Sequence, residues 1–232
     1  MIHHVVNHKL LISVAPRAGT HTILDVMQNI PNYEEVVRSR VPTNNVVNGK
    51  FRKVKFVRNP YTRAVSSYYI FVNNTRMEIY KEVGMDRQEA AQTSFLQFLR
   101  IMSHIDMEHT NIHVRNQETY HDGGFLEYDE VRKIEDIKWG INDVLKYADV
   151  CVDPEALKNG NVRGKTLYGG KVFDLSMGDM RRTEHWPVVP EYHEFYNDET
   201  ADLVARIYSG DLYDYQVPSE QSDANDNYAL RV

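Results

Sequence analysis

Two short stretches carry the residue types and spacing that bind anions. In the first, Leu10-Leu11-Ile12-Ser13-Val14-Ala15 is mostly apolar and branched, as a buried strand is. Pro16 stops it, and Gly19 stands where the backbone must turn tightly or come close to something. Thr20 is placed to cap the next segment, where Ile23, Leu24, Met27 and Ile30 recur at helical spacing. Strand, tight loop and helix start aim several main-chain N–H groups and a positive helix end at one point. Such a point binds phosphate or sulfate. An ordinary strand-to-helix turn has the same outline, so this stretch alone leaves both readings open.

The second stretch is basic. Lys53-Val54-Lys55-Phe56-Val57 alternates and then meets Asn59-Pro60, a capping residue followed by one suited to the first helical position. From Lys50 to Arg63 the charged residues are Lys50, Arg52, Lys53, Lys55, Arg58 and Arg63, with no acid among them. The formal charge of −6 becomes −12 when those six are set aside. The expectation is a cationic patch on an acidic protein, beside a second strand-to-helix transition and suited to an anionic ligand. A merely solvated charged face is the alternative.

The elements that must position these stretches are read from periodicity. A helix is predicted from Pro60 to about Val72, with Ala64, Val65, Tyr68, Tyr69 and Phe71 on a wide apolar side. A second helix is predicted over Arg87 to Met102, and others over Glu135 to Tyr147 and Tyr196 to Ile207. Tyr33 to Val41 and Asp129 to Ile134 read as strands. Thr43 to Gly49 reads as a loop, and His104 to His121 as irregular and histidine-dense. His3, His4 and His8 read as a polar N-terminus. Strands alternating with helices imply an α/β fold: a single-domain, P-loop-like three-layer sandwich whose central parallel sheet is flanked by helices. The domain is assigned to 1–217, and 218–232, containing Ser219 to Asn227, to a polar tail.

Composition excludes several classes. At 232 residues the chain suits one α/β domain. No apolar run approaches the ~20 residues that span a bilayer, so no membrane partner is expected. The acidic balance argues against a general nucleic-acid binder. Cys151 is the one cysteine and has no internal partner, and MIHHVVNHK lacks the long apolar core of a signal peptide. Both point to the cytoplasm.

With both stretches in view, the chain resembles a known family. Ala15-Pro16-Arg17-Ala18-Gly19-Thr20-His21-Thr22 resembles the 5′-phosphosulfate loop, P-[KR]-x-G-T, of sulfotransferases that use 3′-phosphoadenosine-5′-phosphosulfate (PAPS). Phe56-Val57-Arg58-Asn59-Pro60-Tyr61-Thr62-Arg63-Ala64-Val65-Ser66-Ser67-Tyr68 is similar to their 3′-phosphate element, F-V-R-[DE]-P-[FY]-x-R-x-[VL]-S-x-Y. Tyr128 through Glu135 is similar to a D-x-[IV]-x-[KR]-x-E segment of the carbohydrate sulfotransferases, and Tyr196 through Tyr215 to their closing helix. Two departures stand out: Arg17 where most members have lysine, and Asn59 where they have an acid before proline.

The resemblance implies roles. Arg17, Ala18, Gly19, Thr20, His21 and Thr22 would hold the 5′-phosphosulfate, through main-chain amides and the two threonine hydroxyls. Arg58 and Ser66, eight residues apart, would hold the 3′-phosphate, the arginine as a planar fork. Arg17 would also stabilise charge on the bridging oxygen as the sulfuryl group leaves, but a fixed arginine cannot donate a proton there. PAPS is the implied co-substrate, and no metal is required, because a sulfuryl group bears less negative charge than a terminal phosphate. A general base must take the acceptor proton, and His21, Glu34, Glu35, His109 and His113 are candidates. His113 is preferred, because Ile112 through Gln117 is loosely similar to an H-x-x-x-Q segment of the family.

The implied partner is a hydroxyl-bearing acceptor, a carbohydrate or small molecule. A P-loop small-molecule kinase is the alternative, against which the loop lacks G-x-x-x-x-G-K-[ST]. A nucleotide-binding protein without chemistry is a third reading.

Overall fold

The computed structural model describes residues 2–7, 9–30, 33–36, 51–73, 78–107, 109–117, 128–154, 165–166, 168–186 and 188–216. In chain order the first elements are β1 (Ile2–Val6), β2 (Leu10–Val14), α1 (Thr20–Gln28), β3 (Tyr33–Val36) and β4 (Arg52–Val57). They are followed by α2 (Pro60–Asn73), α3 (Arg87–Gln92), α4 (Phe95–Met102), β5 (Glu130–Lys133) and α5 (Ile137–Leu145). The last are β6 (Lys165–Thr166), α6 (Met177–Met180), β7 (Val189–Pro190), α7 (Asp198–Ile207) and α8 (Ser209–Gln216). The described residues fall into two compact units. One takes those within Met1–Asn59, Asn116–Asn161 and Tyr213–Glu220; the other takes those within Pro60–Arg115 and Val162–Leu212.

The first unit is a mixed sheet in the order β3-β1-β2-β4-β5. β2, β4 and β5 run parallel, with Val14 beside Phe56 and Val57 beside Lys133. The C-terminal ends of the three parallel strands therefore lie side by side, and the segments leaving them converge there. All five residues of β2 are buried, as a strand covered on both faces requires. On one face Leu10, Ile12, Val14, Val54 and Phe56 pack with Ile23, Val26 and Met27 of α1 and with Ile137, Ile141, Val144 and Leu145 of α5. Each such buried side chain contributes about 1.5–3 kcal/mol relative to exposure.

β1 and β3 depart from the parallel expectation, since β1 pairs antiparallel with both β2 and β3. His3 and His4, read as part of a polar N-terminus, lie in a strand, and His8 lies outside the described residues. Asn7 takes φ 48°, and Lys9 N–H donates to the Val6 carbonyl at 3.0 Å, turning β1 back onto β2. Asparagine tolerates that left-handed conformation better than most residues. The strand expected over Tyr33 to Val41 is found at Tyr33–Val36. Its remainder, the Thr43 to Gly49 loop and the 218–232 tail lie outside the described residues.

The second unit is helical apart from the short parallel pair β6-β7. α2 buries ten of its fourteen residues, and its Tyr68 meets Phe95 and Phe98 with ring centroids 5.6 and 5.7 Å apart. The Tyr68 hydroxyl donates to the Thr93 carbonyl at 2.9 Å. The predicted Arg87 to Met102 helix is broken in two. Ser94 Oγ accepts from Gln97 N–H while Gln97 Oε1 accepts from Ser94 N–H, a capping box that starts α4 afresh. Asp86 and Glu89 do the same for α3. Among the described residues no helix is long and apolar enough to cross a membrane.

Candidate functional site

The ends of β2, β4 and β5 gather the candidate residues of the first unit. After Val14 the chain enters the loop 15–19 with two left-handed residues, Arg17 at φ 68° and Gly19 at φ 87°. Gly19 directly precedes α1. A Cβ there would lie 2.1 Å from Ile134 Cγ1, so the loop fits against the residue following β5 only as glycine. Arg17 holds its positive φ without that freedom, at about 1–3 kcal/mol of strain. Strain of this kind collects where a loop must present particular groups.

Thr20 was expected to cap α1. Instead it is the first residue of the helix, and its hydroxyl donates back across the loop to the Ala15 carbonyl at 3.1 Å. Ala18 is fully buried, Arg17 and Thr22 are half-buried, and His21 is exposed. No side chain caps the helix start, so its first N–H groups are those of the loop and of Thr20, His21 and Thr22. This is the arrangement that takes an anion.

Arg58 follows β4 directly and joins this loop: its guanidinium Nη1 donates to the Arg17 carbonyl at 3.0 Å. The Arg58 main chain is held by Gln117, whose Oε1 accepts from Arg58 N–H at 2.8 Å and whose Nε2 donates to the Arg58 carbonyl at 2.9 Å. Asn59 N–H donates to Glu135 Oε1 at 3.0 Å. Desolvation by the atoms crowding its carboxylate raises the pKa of Glu135, outweighing the bond from Asn59 and the attraction of Arg58. Sequence reasoning gave Gln117 and Glu135 no role. Both close segments that resemble family motifs, and that position was the available signal.

The remaining candidates lie in the second unit. Ser66 is on α2, 5% exposed. His113 is half-buried, with its main chain pinned on both sides: its N–H donates to Asn111 Oδ1 at 3.1 Å, and its carbonyl accepts from Ser67 Oγ at 2.7 Å. His109 is exposed and 2.7 Å from Asp106. The side chains of Glu34 and Glu35 lie outside the described set.

Among the described residues the basic run does not form one patch. Strand alternation sends Arg52 and Lys53 to opposite faces of β4. Arg52 lies 3.7 and 3.8 Å from the carboxylates of Asp129 and Glu130 and stacks on Tyr147. Lys55 is 3% exposed, its ammonium 5.5 Å from the centre of the Tyr128 ring. Arg63 is 1% exposed in the second unit, 3.5 Å from Asp211 and bonded to the Arg115 carbonyl at 2.5 Å. Lys50 lies outside the described residues. Of the five described, Arg58 is the one placed at the loop.

The profile of the sulfotransferase family matches residues 9–216. The chain belongs to the sulfotransferase family. The matched span takes in the loop, Arg58, α2 and everything through α8, so the mixed α/β sheet with its strand-loop-helix start is this family's P-loop-like architecture. Neither the curated proteins nor the solved structures contain a significant match. A sulfotransferase is a transferase that moves a sulfuryl group, and members generally draw it from PAPS. Among the described residues no three His, Cys, Asp or Glu side chains gather as a metal site.

Proposed function

We propose that this sulfotransferase moves the sulfuryl group of PAPS to an acceptor hydroxyl on a carbohydrate or small molecule. The observation that carries this reading is the bond from Arg58 Nη1 to the Arg17 carbonyl. It joins the strained anion loop to the arginine of the second motif at adjacent parallel strand ends. In open α/β sheets ligands bind outside those ends. Residues 17–22 hold the phosphosulfate, with Arg17 beside the bridging oxygen. Arg58 and Ser66 hold the 3′-phosphate, and His113 takes the acceptor proton.

The acceptor oxygen attacks sulfur in line, the S–O bond to the 5′-phosphate breaks, and adenosine 3′,5′-bisphosphate leaves. Positioning and charge stabilisation dominate such transfers. The chemistry asks for no metal. We treat 1–217 as the catalytic domain and 218–232 as its tail. We place the reaction in the cytoplasm, with no membrane or nucleic-acid partner, a setting that the exposed thiol of Cys151 fits.

The test is transfer from sulfur-labelled PAPS, and in parallel from γ-labelled ATP with Mg²⁺, to a panel of sugars and small alcohols. Labelled sulfate on an acceptor is expected. Phosphate transfer from ATP, with none from PAPS, would overturn the reading in favour of a kinase.

Arg58 has its own expected result. A charge-assisted hydrogen bond is worth about 1.5–3 kcal/mol, so Arg58→Ala should weaken adenosine 3′,5′-bisphosphate about ten-fold to a hundred-fold. Adenosine 5′-monophosphate lacks the 3′ group and should weaken only by the looser loop, several-fold less. Equal losses for both nucleotides would mean that Arg58 acts through the Arg17 carbonyl alone. Ser66→Ala should repeat the selectivity on a smaller scale.

A further inference from the structure

A strand that leaves its sheet carries main-chain donors and acceptors with no ladder partner, and each must be satisfied elsewhere. At the end of β4 the partners are side chains from distant parts of the chain. The Gln117 amide takes both main-chain groups of Arg58, donating to its carbonyl at 2.9 Å and accepting from its N–H at 2.8 Å. One residue thus does what a neighbouring strand does in a ladder. A primary amide carries a donor and an acceptor side by side on one planar group, as a main-chain N–H and C=O do. A glutamate could accept but not donate, and an aliphatic residue could do neither. Gln117 is fully buried, so its two bonds have no competition from water. The next N–H, that of Asn59, is taken by Glu135 Oε1 at 3.0 Å.

Three consecutive main-chain groups are therefore fixed at the point where the Arg58 side chain departs. That side chain ends on the Arg17 carbonyl, 3.0 Å from Nη1. A small rotation of the residue 58 peptide, carried along an arginine side chain, would move the guanidinium by more than the reach of a hydrogen bond.

We propose that Gln117 and Glu135 are positioning residues for nucleotide binding. They clamp the main chain at Arg58 and Asn59, so that the guanidinium is held against the loop and oriented toward the 3′-phosphate. This rests on the nucleotide reading above, and it assigns to two side chains the orientation of the arginine that reads the nucleotide.

The test is a double-mutant cycle, with adenosine 3′,5′-bisphosphate as the titrant and the full chain as the protein. Gln117→Leu keeps the volume and removes both bonds. It should weaken the bisphosphate ~10-fold, the scale seen when the orienting partner of a ligating residue is lost. In the Arg58→Ala background the same substitution should cost less than about two-fold, because a clamp acting through Arg58 has nothing left to orient. An equal loss in both backgrounds would overturn the clamp and leave Gln117 as packing. So would a Gln117→Leu variant that binds as the parent does. Should Gln117→Leu fail to fold, Glu135→Ala runs the same cycle from a residue outside the hydrophobic core. There the expected loss is about three-fold, again present only with Arg58. A parent protein that binds no bisphosphate overturns the nucleotide reading itself, a result separate from any of these.

Discussion

Arg17→Ala is expected to lower turnover by ~10² or more while the bisphosphate product stays bound nearly as tightly as in the parent. Two features of the structure make this a clean substitution. Arg58 bonds to the main-chain carbonyl of Arg17, which alanine retains. The backbone sits at φ 68°, and alanine pays about the same left-handed penalty as arginine. What disappears is the guanidinium, whose proposed work is on charge that develops as the sulfuryl group leaves. The product lacks that group, so its affinity should change little. Steady-state turnover and product titration on the same preparation separate the two effects. Equal losses in both would make Arg17 a ground-state anchor.

His113→Ala should lower kcat by about 10²–10⁴, the range of a positioned general base. The main chain at 113 is held by Asn111 and Ser67 through groups that alanine keeps, so the local fold should survive. Bisphosphate affinity should be unchanged, since a base contacts the acceptor and not the nucleotide. Retained turnover would remove His113 from the mechanism and return the choice to His21, Glu34, Glu35 and His109. The pairing of His109 with Asp106 on the surface makes it the least suited of these.

What could be read from the sequence was local. Pro16, Gly19, Asn59 and Pro60 punctuate the chain within a few residues, and turn chemistry of that range is written in neighbouring residues. The two motifs and the helix from Pro60 were legible for that reason. The β1 strand was not, because two histidines in IHHVV hide a strand whose pairing depends on the Asn7 turn and on β2. The break between α3 and α4 was written in Ser94 and Gln97, but the apolar periodicity runs across it and masked the caps. The basic run misled because net charge along a sequence ignores strand alternation and the carboxylates of Asp129 and Glu130, which arrive at the start of β5. Gln117 and Glu135 lie 59 and 76 residues from the groups they bind, a distance over which no periodicity carries information. Only the fold brings them to the loop.

As proposed above, this sulfotransferase holds a nucleotide by two phosphates without a metal. Titration calorimetry with adenosine 3′,5′-bisphosphate in EDTA measures it directly. Saturable one-to-one binding is expected, tighter than that of adenosine 5′-monophosphate by about 1.5–3 kcal/mol for the bond from Arg58 to the second phosphate. No binding in EDTA, with ATP bound once Mg²⁺ is supplied, would contradict the account.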